Sequence, residues 1–177
     1  APGTEGTYNL KINMSNSDGI NGVTSTSFEV DTTPPKHYFS SDDSGGMVDD
    51  GSEVNVSTFW NDSRAGLKFG ELYFNGSGGF QQVGSFGFGD VSEDWYNTTV
   101  STDSLNGRNY CWYMKANDEV GNLNDSMGYH CFDVDGEAPI VSVESPSNTT
   151  YNFSDIYVNV STSDVLTSAD TVLAQID

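Results

Sequence analysis

The sequence predicts an all-β fold built from β-sandwich repeats, one complete and two partial. Three observations lead there: short runs in which apolar and polar residues alternate, turn residues between those runs, and an internal repeat about a hundred residues long. The composition agrees. Among 177 residues, 38 are Ser or Thr, 16 are Asn and 19 are Gly, while Lys and Arg together number six. Such a chain favours strands and turns over long helices. Its 22 aromatic residues fall in the alternating runs, which sets it apart from a disordered acidic chain.

The repeat fixes the architecture. Val54-Asn55-Val56-Ser57-Thr58 returns unchanged as Val158-Asn159-Val160-Ser161-Thr162, 104 residues later. Phe28-x-Val30-Asp31 returns as Phe132-x-Val134-Asp135, and Pro35 as Pro139, at the same offset. Tyr8-x-Leu10-x-Ile12 matches Tyr110-x-Trp112-x-Met114 at an offset of 102. A period of this length is that of a whole sandwich rather than of a solenoid turn. Alternation places strands near 36–41, 53–60, 67–75, 79–88, 95–101, 108–117 and 127–135. Turn signals stand at Asn75-Gly76, Asn106-Gly107 and Gly121-Asn122. Short strands at this density fit an immunoglobulin-like sandwich. The chain then divides into 1–33, the closing strands of one repeat; 34–137, a whole repeat; and 138–177, the opening strands of another.

Particular motifs carry a resemblance. Leu105-Asn-Gly-Arg-Asn-Tyr110 resembles the tyrosine corner of fibronectin type III and related sandwiches, and Pro2-Gly-Thr-Glu-Gly-Thr-Tyr8 resembles the same corner again. Ala116-Asn117-Asp118-x-x-Gly121-Asn122, followed by Phe132-x-Val134-Asp135 and Pro139, is similar to the closing hairpin and linker of tandem immunoglobulin-like repeats. Val30-Asp-Thr-Thr-Pro-Pro35 is the clearest such linker. Ser145-Pro-Ser-Asn-Thr-Thr-Tyr151 resembles the opening of such repeats in large archaeal surface proteins; bacterial surface repeats are similar. The resemblance implies an exported surface protein and says nothing of an activity.

Two further features point outside the cell. Alternation turns Tyr110, Trp112, Met114, Phe132 and Val134 inward, so Cys111 and Cys131 point outward on one face of neighbouring strands. They are expected to form a disulfide, worth ~3 kcal/mol in the chain-entropy description, and a disulfide needs an oxidising compartment. His130 could join them as a third zinc donor, but no Cys-x-x-Cys spacing supports that. Asn-x-Ser/Thr sequons number nine: Asn13, Asn55, Asn61, Asn75, Asn97, Asn124, Asn148, Asn152 and Asn159. Chance would place roughly three in such a composition, so N-linked glycans are expected.

A formal charge of −20 argues against nucleic acid and against anionic membranes, both of which need clustered cations. No apolar run is long enough to insert in a membrane. No basic segment with an apolar stretch opens the chain, so a mature chain or a fragment is expected. Neither His37 nor His130 belongs to a nucleophile arrangement, and no phosphate-cradling glycine motif is present, so no enzyme is expected. Calcium is the candidate cofactor, because sandwiches strung end to end bring acidic loops and linkers together. At one junction the candidates are Asp49, Asp50, Asp135, Glu137 and Asp164; the other offers Asp31, Asp62 and Asp118. The rival reading of both sets is a solvated acidic surface. Cadherins and large bacterial adhesins hold calcium at such junctions, which the resemblance carries over to this chain as an expectation.

The expected function is structural: a glycosylated, extracellular surface stalk or filament. Its partners are neighbouring repeats of a longer chain, or copies of itself joined head to tail by strand complementation between the partial ends. The alternative is an adhesin or carbohydrate-binding module using exposed aromatics. Trp60, Trp95 and Trp112 are its candidates, with the aromatic-rich 80–96 stretch; alternation assigns Trp112 to the core, the end of an alternating strand does the same for Trp60, and Trp95-Tyr96 is least settled.

Overall fold

The computed structural model describes residues 3–175 apart from 77, 153, 169 and 170. Its elements are strands: β1 (Gly6–Ser15), β2 (Asn21–Val30), β3 (Lys36–Asp42), β4 (Met47–Asp49), β5 (Glu53–Asn61), β6 (Leu67–Phe74), β7 (Gln81–Val91), β8 (Glu93–Ser101), β9 (Gly107–Asp118), β10 (Leu123–Asn124), β11 (His130–Asp135), β12 (Ile140–Ser145) and β13 (Asn159–Ser163). A three-stranded sheet, β3-β5-β8, faces a sheet ordered β4-β11-β9-β6-β7, with β10 attached to β9. The fold is an all-β sandwich. To either side of it lie two-stranded pairs, β1-β2 and β12-β13.

Alternation builds the core. On β5 the side chains of Val54, Val56, Thr58 and Trp60 are buried while their neighbours face out. On β9 the inward set is Trp112, Met114 and Ala116. Leu67, Leu72, Phe74, Tyr96, Val100, Phe132 and Val134 fill the space between the sheets. Burying side chains of this size is worth roughly 1.5–3 kcal/mol each. Trp112 also crosses the sandwich, its Nε1–H donating to Asp42 Oδ2 at the end of β3, 3.0 Å away. Gly70 is imposed by this packing: a Cβ there would lie 2.7 Å from Cδ1 of Tyr96.

The repeated segments adopt the same strand pairings. Tyr8 pairs with Phe28 as Tyr110 pairs with Phe132, and Asn9–Ser27 takes the place of Cys111–Cys131. The Tyr8 hydroxyl donates to the Thr4 carbonyl at 2.8 Å and the Tyr110 hydroxyl to the Asn106 carbonyl at 3.1 Å. Tyr151 does the same with Ser147 at 3.2 Å. Val54–Thr58 lies in β5, antiparallel to β3; its copy runs into β13, antiparallel to β12.

Three details differ from the sequence expectation. β4 is a three-residue strand parallel to β11 that alternation could not register. β7 runs on to Val91, so a single residue separates it from β8. β11 begins at His130 rather than at 127, because Met127 leaves the strand path and enters the core. Its sulfur accepts the Met114 N–H at 3.3 Å.

Trp112→Ala removes the largest inward ring of β9 and leaves Asp42 Oδ2 without its donor. Urea unfolding of this variant is expected to show a loss of about 3–5 kcal/mol.

Candidate functional site

The linker after β2 meets two loops at one end of the sandwich. Asp62 follows β5, and its Oδ1 accepts the N–H groups of Arg64, Ala65 and Gly66 at 3.0, 3.0 and 3.2 Å. Asp118 ends β9, and its Oδ1 accepts those of Val120, Gly121 and Asn122 at 3.0, 2.7 and 2.8 Å. Each aspartate thus shapes its own turn, as short acidic side chains do. Asp31 comes from the linker: its Oδ1 takes the Thr33 N–H at 2.9 Å and its Oδ2 the Ala65 N–H at 3.0 Å. One carboxylate oxygen from each of the three lies within 4.8 Å of the others. Asp62 and Asp118 are buried, Asp31 half-buried. Among the described residues no Lys or Arg head makes an ion pair with any of them.

Three carboxylate oxygens at this spacing could supply part of the roughly six to eight oxygen ligands that calcium takes. Calcium sits 2.3–2.6 Å from its oxygen ligands, so one ion can touch oxygens up to roughly twice that distance apart. The donors are hard carboxylates held rigid by backbone N–H groups, and the charge they concentrate is negative. The hydrogen bonds that Asp62 accepts among the described residues all fall on Oδ1, which leaves Oδ2 to ligate.

The same junction is fastened by a contact the sequence did not signal. Arg64 Nε lies 3.0 Å from Glu5 Oε1 and its Nη1 3.9 Å from Glu29 Oε2, while the Thr33 hydroxyl donates to Glu5. That hydroxyl, then Arg64, hold the Glu5 carboxyl below the usual carboxylate range.

The other acidic set is not drawn into a ligand sphere. Asp50 Oδ1 accepts the Leu105 N–H, Glu137 Oε1 accepts Asn106 Nδ2, and Asp135 accepts the Glu137 N–H and the Thr167 hydroxyl. Asp164 caps the turn at Leu166 and Thr167, which lowers its own pKa. Among the described residues, Asp49, Asp50, Asp135, Glu137 and Asp164 form no cluster of three within metal reach. The carboxylates of Asp50, Asp135, Glu137 and Asp164 brace turns or tie Asp135 to the following segment.

Cys111 and Cys131 are bonded, on directly opposed positions of β9 and β11 with Cα atoms 4.1 Å apart. Trp60 and Trp112 are fully buried; Trp95 is 42% exposed and lies beside Phe59, centroids 5.3 Å apart. Of the 80–96 stretch, Phe80 joins a cluster on the opposite sheet whose other members, Tyr73, Tyr113 and Tyr129, the sequence did not single out; Phe80 meets Tyr113 at 4.9 Å, and Tyr73 and Tyr113 stack at 5.0 Å. Their alternation out of phase with the core residues was the available signal.

The sequons divide by the state of the amide. Asn13, Asn97, Asn148, Asn152 and Asn159 are exposed. Asn55 is exposed and donates to Asp43 at 2.6 Å, which lowers the Asp43 pKa. Asn55 and Asn97 share the outward face of β3-β5-β8 as diagonal neighbours. Asn61 is half-buried and donates to Glu93 at 3.4 Å. Asn75 accepts the Cys111 N–H at 2.6 Å and donates to the Asn109 carbonyl; residue 77 of its sequon lies outside the described residues. Asn124 donates to the Pro35 carbonyl at 2.7 Å and accepts from Ser126.

No protein-family model matches the chain, and no curated protein matches it. No helix among the described residues is long and apolar enough to cross a membrane.

Two outcomes are expected. Glycopeptide mass spectrometry of the chain secreted from a glycosylating host finds sugar at Asn13 and Asn97, which are exposed, but not at Asn75 or Asn124, which are half-buried with their amides engaged. The attachment of the β1-β2 hairpin is pH-dependent. A lowered carboxyl pKa gives stability that is present above the unfolded value and lost as pH falls through the folded one. Amide exchange in residues 5–30 should therefore quicken as pH drops below the usual carboxylate range, and Glu5→Gln should remove that dependence.

Proposed function

We propose that the chain is a structural segment of an exported, N-glycosylated surface protein, in which immunoglobulin-like sandwiches follow one another as a stalk or filament. One observation carries the reading. The β1-β2 hairpin repeats the pairing of β9 and β11 down to the tyrosine hydroxyl bond, yet its apolar face of Leu10, Ile12, Met14 and Phe28 is exposed. The equivalent face of β9 is buried against a second sheet. An isolated hairpin is marginal in water, so this one calls for a sheet from a neighbouring module. β12-β13, with Ile140, Val141 and Val143 exposed, offers the complementary opening strands. The missing strands come from the adjoining repeat of a longer chain, or from a second copy by strand addition. A head-to-tail contact of that kind propagates into a fibre.

Calcium at Asp31, Asp62 and Asp118 fits this reading as the element that stiffens the junction between hairpin and sandwich. It would bridge linker and loops that are otherwise held by single hydrogen bonds and the Arg64–Glu5 pair.

Two measurements test the proposal. Light scattering and negative-stain imaging of the chain are expected to show concentration-dependent end-to-end association, and Ile12→Asp to abolish it without lowering the thermal midpoint of the sandwich. A chain that stays monomeric, with hairpin amides protected like those of β5 and β9, would count against it. Millimolar calcium is expected to raise the thermal midpoint over that in EDTA, and Asp62→Asn to remove the difference. Identical midpoints in both buffers would eliminate the metal.

A further inference from the structure

The outward face of the larger sheet carries three rows of side chains set by strand register. In the first, Phe69 stands between Gly87 of β7 and Asn117 of β9, with Leu123 of β10 beyond. In the second, Ser85, Glu71 and Lys115 stand side by side. In the third come Gln82, Tyr73 and Tyr113. Phe80 meets Tyr113 edge-on at 4.9 Å, and Tyr129 stacks on Phe80 at 4.8 Å.

The middle row is the low point of this relief. Ser85 is short, and no side chain on Gly87 covers Phe69, which is 50% exposed. Glu71 and Lys115 are directly opposed, yet they form no ion pair among those found within 4.0 Å. Lys115 lies over the Tyr73 ring instead, 4.7 Å from its centroid, and Glu71 accepts the Tyr73 hydroxyl at 3.1 Å. Burial, then Glu71, raise the Tyr73 pKa, so that hydroxyl stays a donor. Glu71 keeps a second oxygen and Lys115 its ammonium protons for a ligand. Together with Phe69, Gln82, Asn117 and Leu123 they line a cleft of about 540 Å³.

A sugar ring has the chemistry this cleft complements. Its C–H face packs on an aromatic ring, and its hydroxyl edge bonds to carboxylate, amide and ammonium groups. One acid and one base in the same cleft balance, which fits a neutral ligand; a surface with net charge −20 repels an anionic one. Phe69 and Tyr73 are four residues apart on one strand, ~13 Å, which leaves room for more than one ring. The exposed sequon asparagines of the sandwich, Asn55 and Asn97, belong to the other sheet, so glycans carried there leave this face open. We propose that the outward face of β6 and β9 binds a neutral, pyranose-based oligosaccharide, with Phe69 as the stacking surface and Glu71 and Lys115 as the hydrogen-bonding groups. The proposal stands whether or not the chain forms filaments.

The test is a titration of the isotope-labelled chain with chitohexaose, mannohexaose, cellohexaose and laminarihexaose, read by amide shifts and calorimetry. At least one of these is expected to move the amides of Phe69, Glu71 and Lys115. Phe69→Ala should weaken its binding about tenfold, and Lys115→Ala should weaken it as well, both with an unchanged thermal midpoint. No shift at this face with any of the sugars would overturn the proposal. So would binding that survives both substitutions, or a sulfated oligosaccharide bound more tightly than every neutral one.

Discussion

Trp112 holds the two sheets in register. Its ring lies in the core and its N–H reaches Asp42 on the facing sheet, so both its apolar and its polar parts are committed. That fixes the phase of β9. With Trp112 inward, Met114 and Ala116 follow it inside, and Cys111, Tyr113, Lys115 and Asn117 must all face out. A slip of one residue would exchange the two sets. The core, the disulfide and the outward aromatic row are therefore consequences of a single choice of face.

The sequence revealed this phase because β9 and β5 are long and alternate at one end, Val54-Asn-Val-Ser57 in β5 and Met114-Lys-Ala-Asn117 in β9. Val54-Asn-Val-Ser57 sets inside from outside for β5, and the 104-residue echo in Val158–Thr162 repeats the message. The cysteine pairing followed from the same alternation. What stayed hidden had no periodic signature. β4 is too short to alternate, and Met127 enters the core from an irregular segment. The candidate metal site was half legible. The sequence offered acidic residues at both junctions, but could not show that Asp31, Asp62 and Asp118 converge while Asp135 and Asp164 are occupied by Thr167 and a turn.

Acidity itself takes on another meaning in the structure. A charge of −20 reads first as a solvated surface. Yet Asp31, Asp42, Asp62, Asp118, Asp135 and Asp164 each accept backbone N–H groups from residues two to four positions ahead. In a chain poor in Lys and Arg, turns are stabilised locally by carboxylate-to-amide bonds rather than by ion pairs. The result is a set of loops that keep their shape without cations from elsewhere in the chain.

The short parallel contact between β4 and β11 joins the opening segment of the sandwich to its last strand, through Met47–Asp133, Val48–Val134 and Asp49–Asp135. Tension applied between the two ends of the module would drag these strands lengthwise past each other. Their backbone bonds would then strain together instead of parting one after another, as they would in a peeled hairpin. Under such a load these three residue pairs would share force between the segment after β3 and the strand that closes the sandwich.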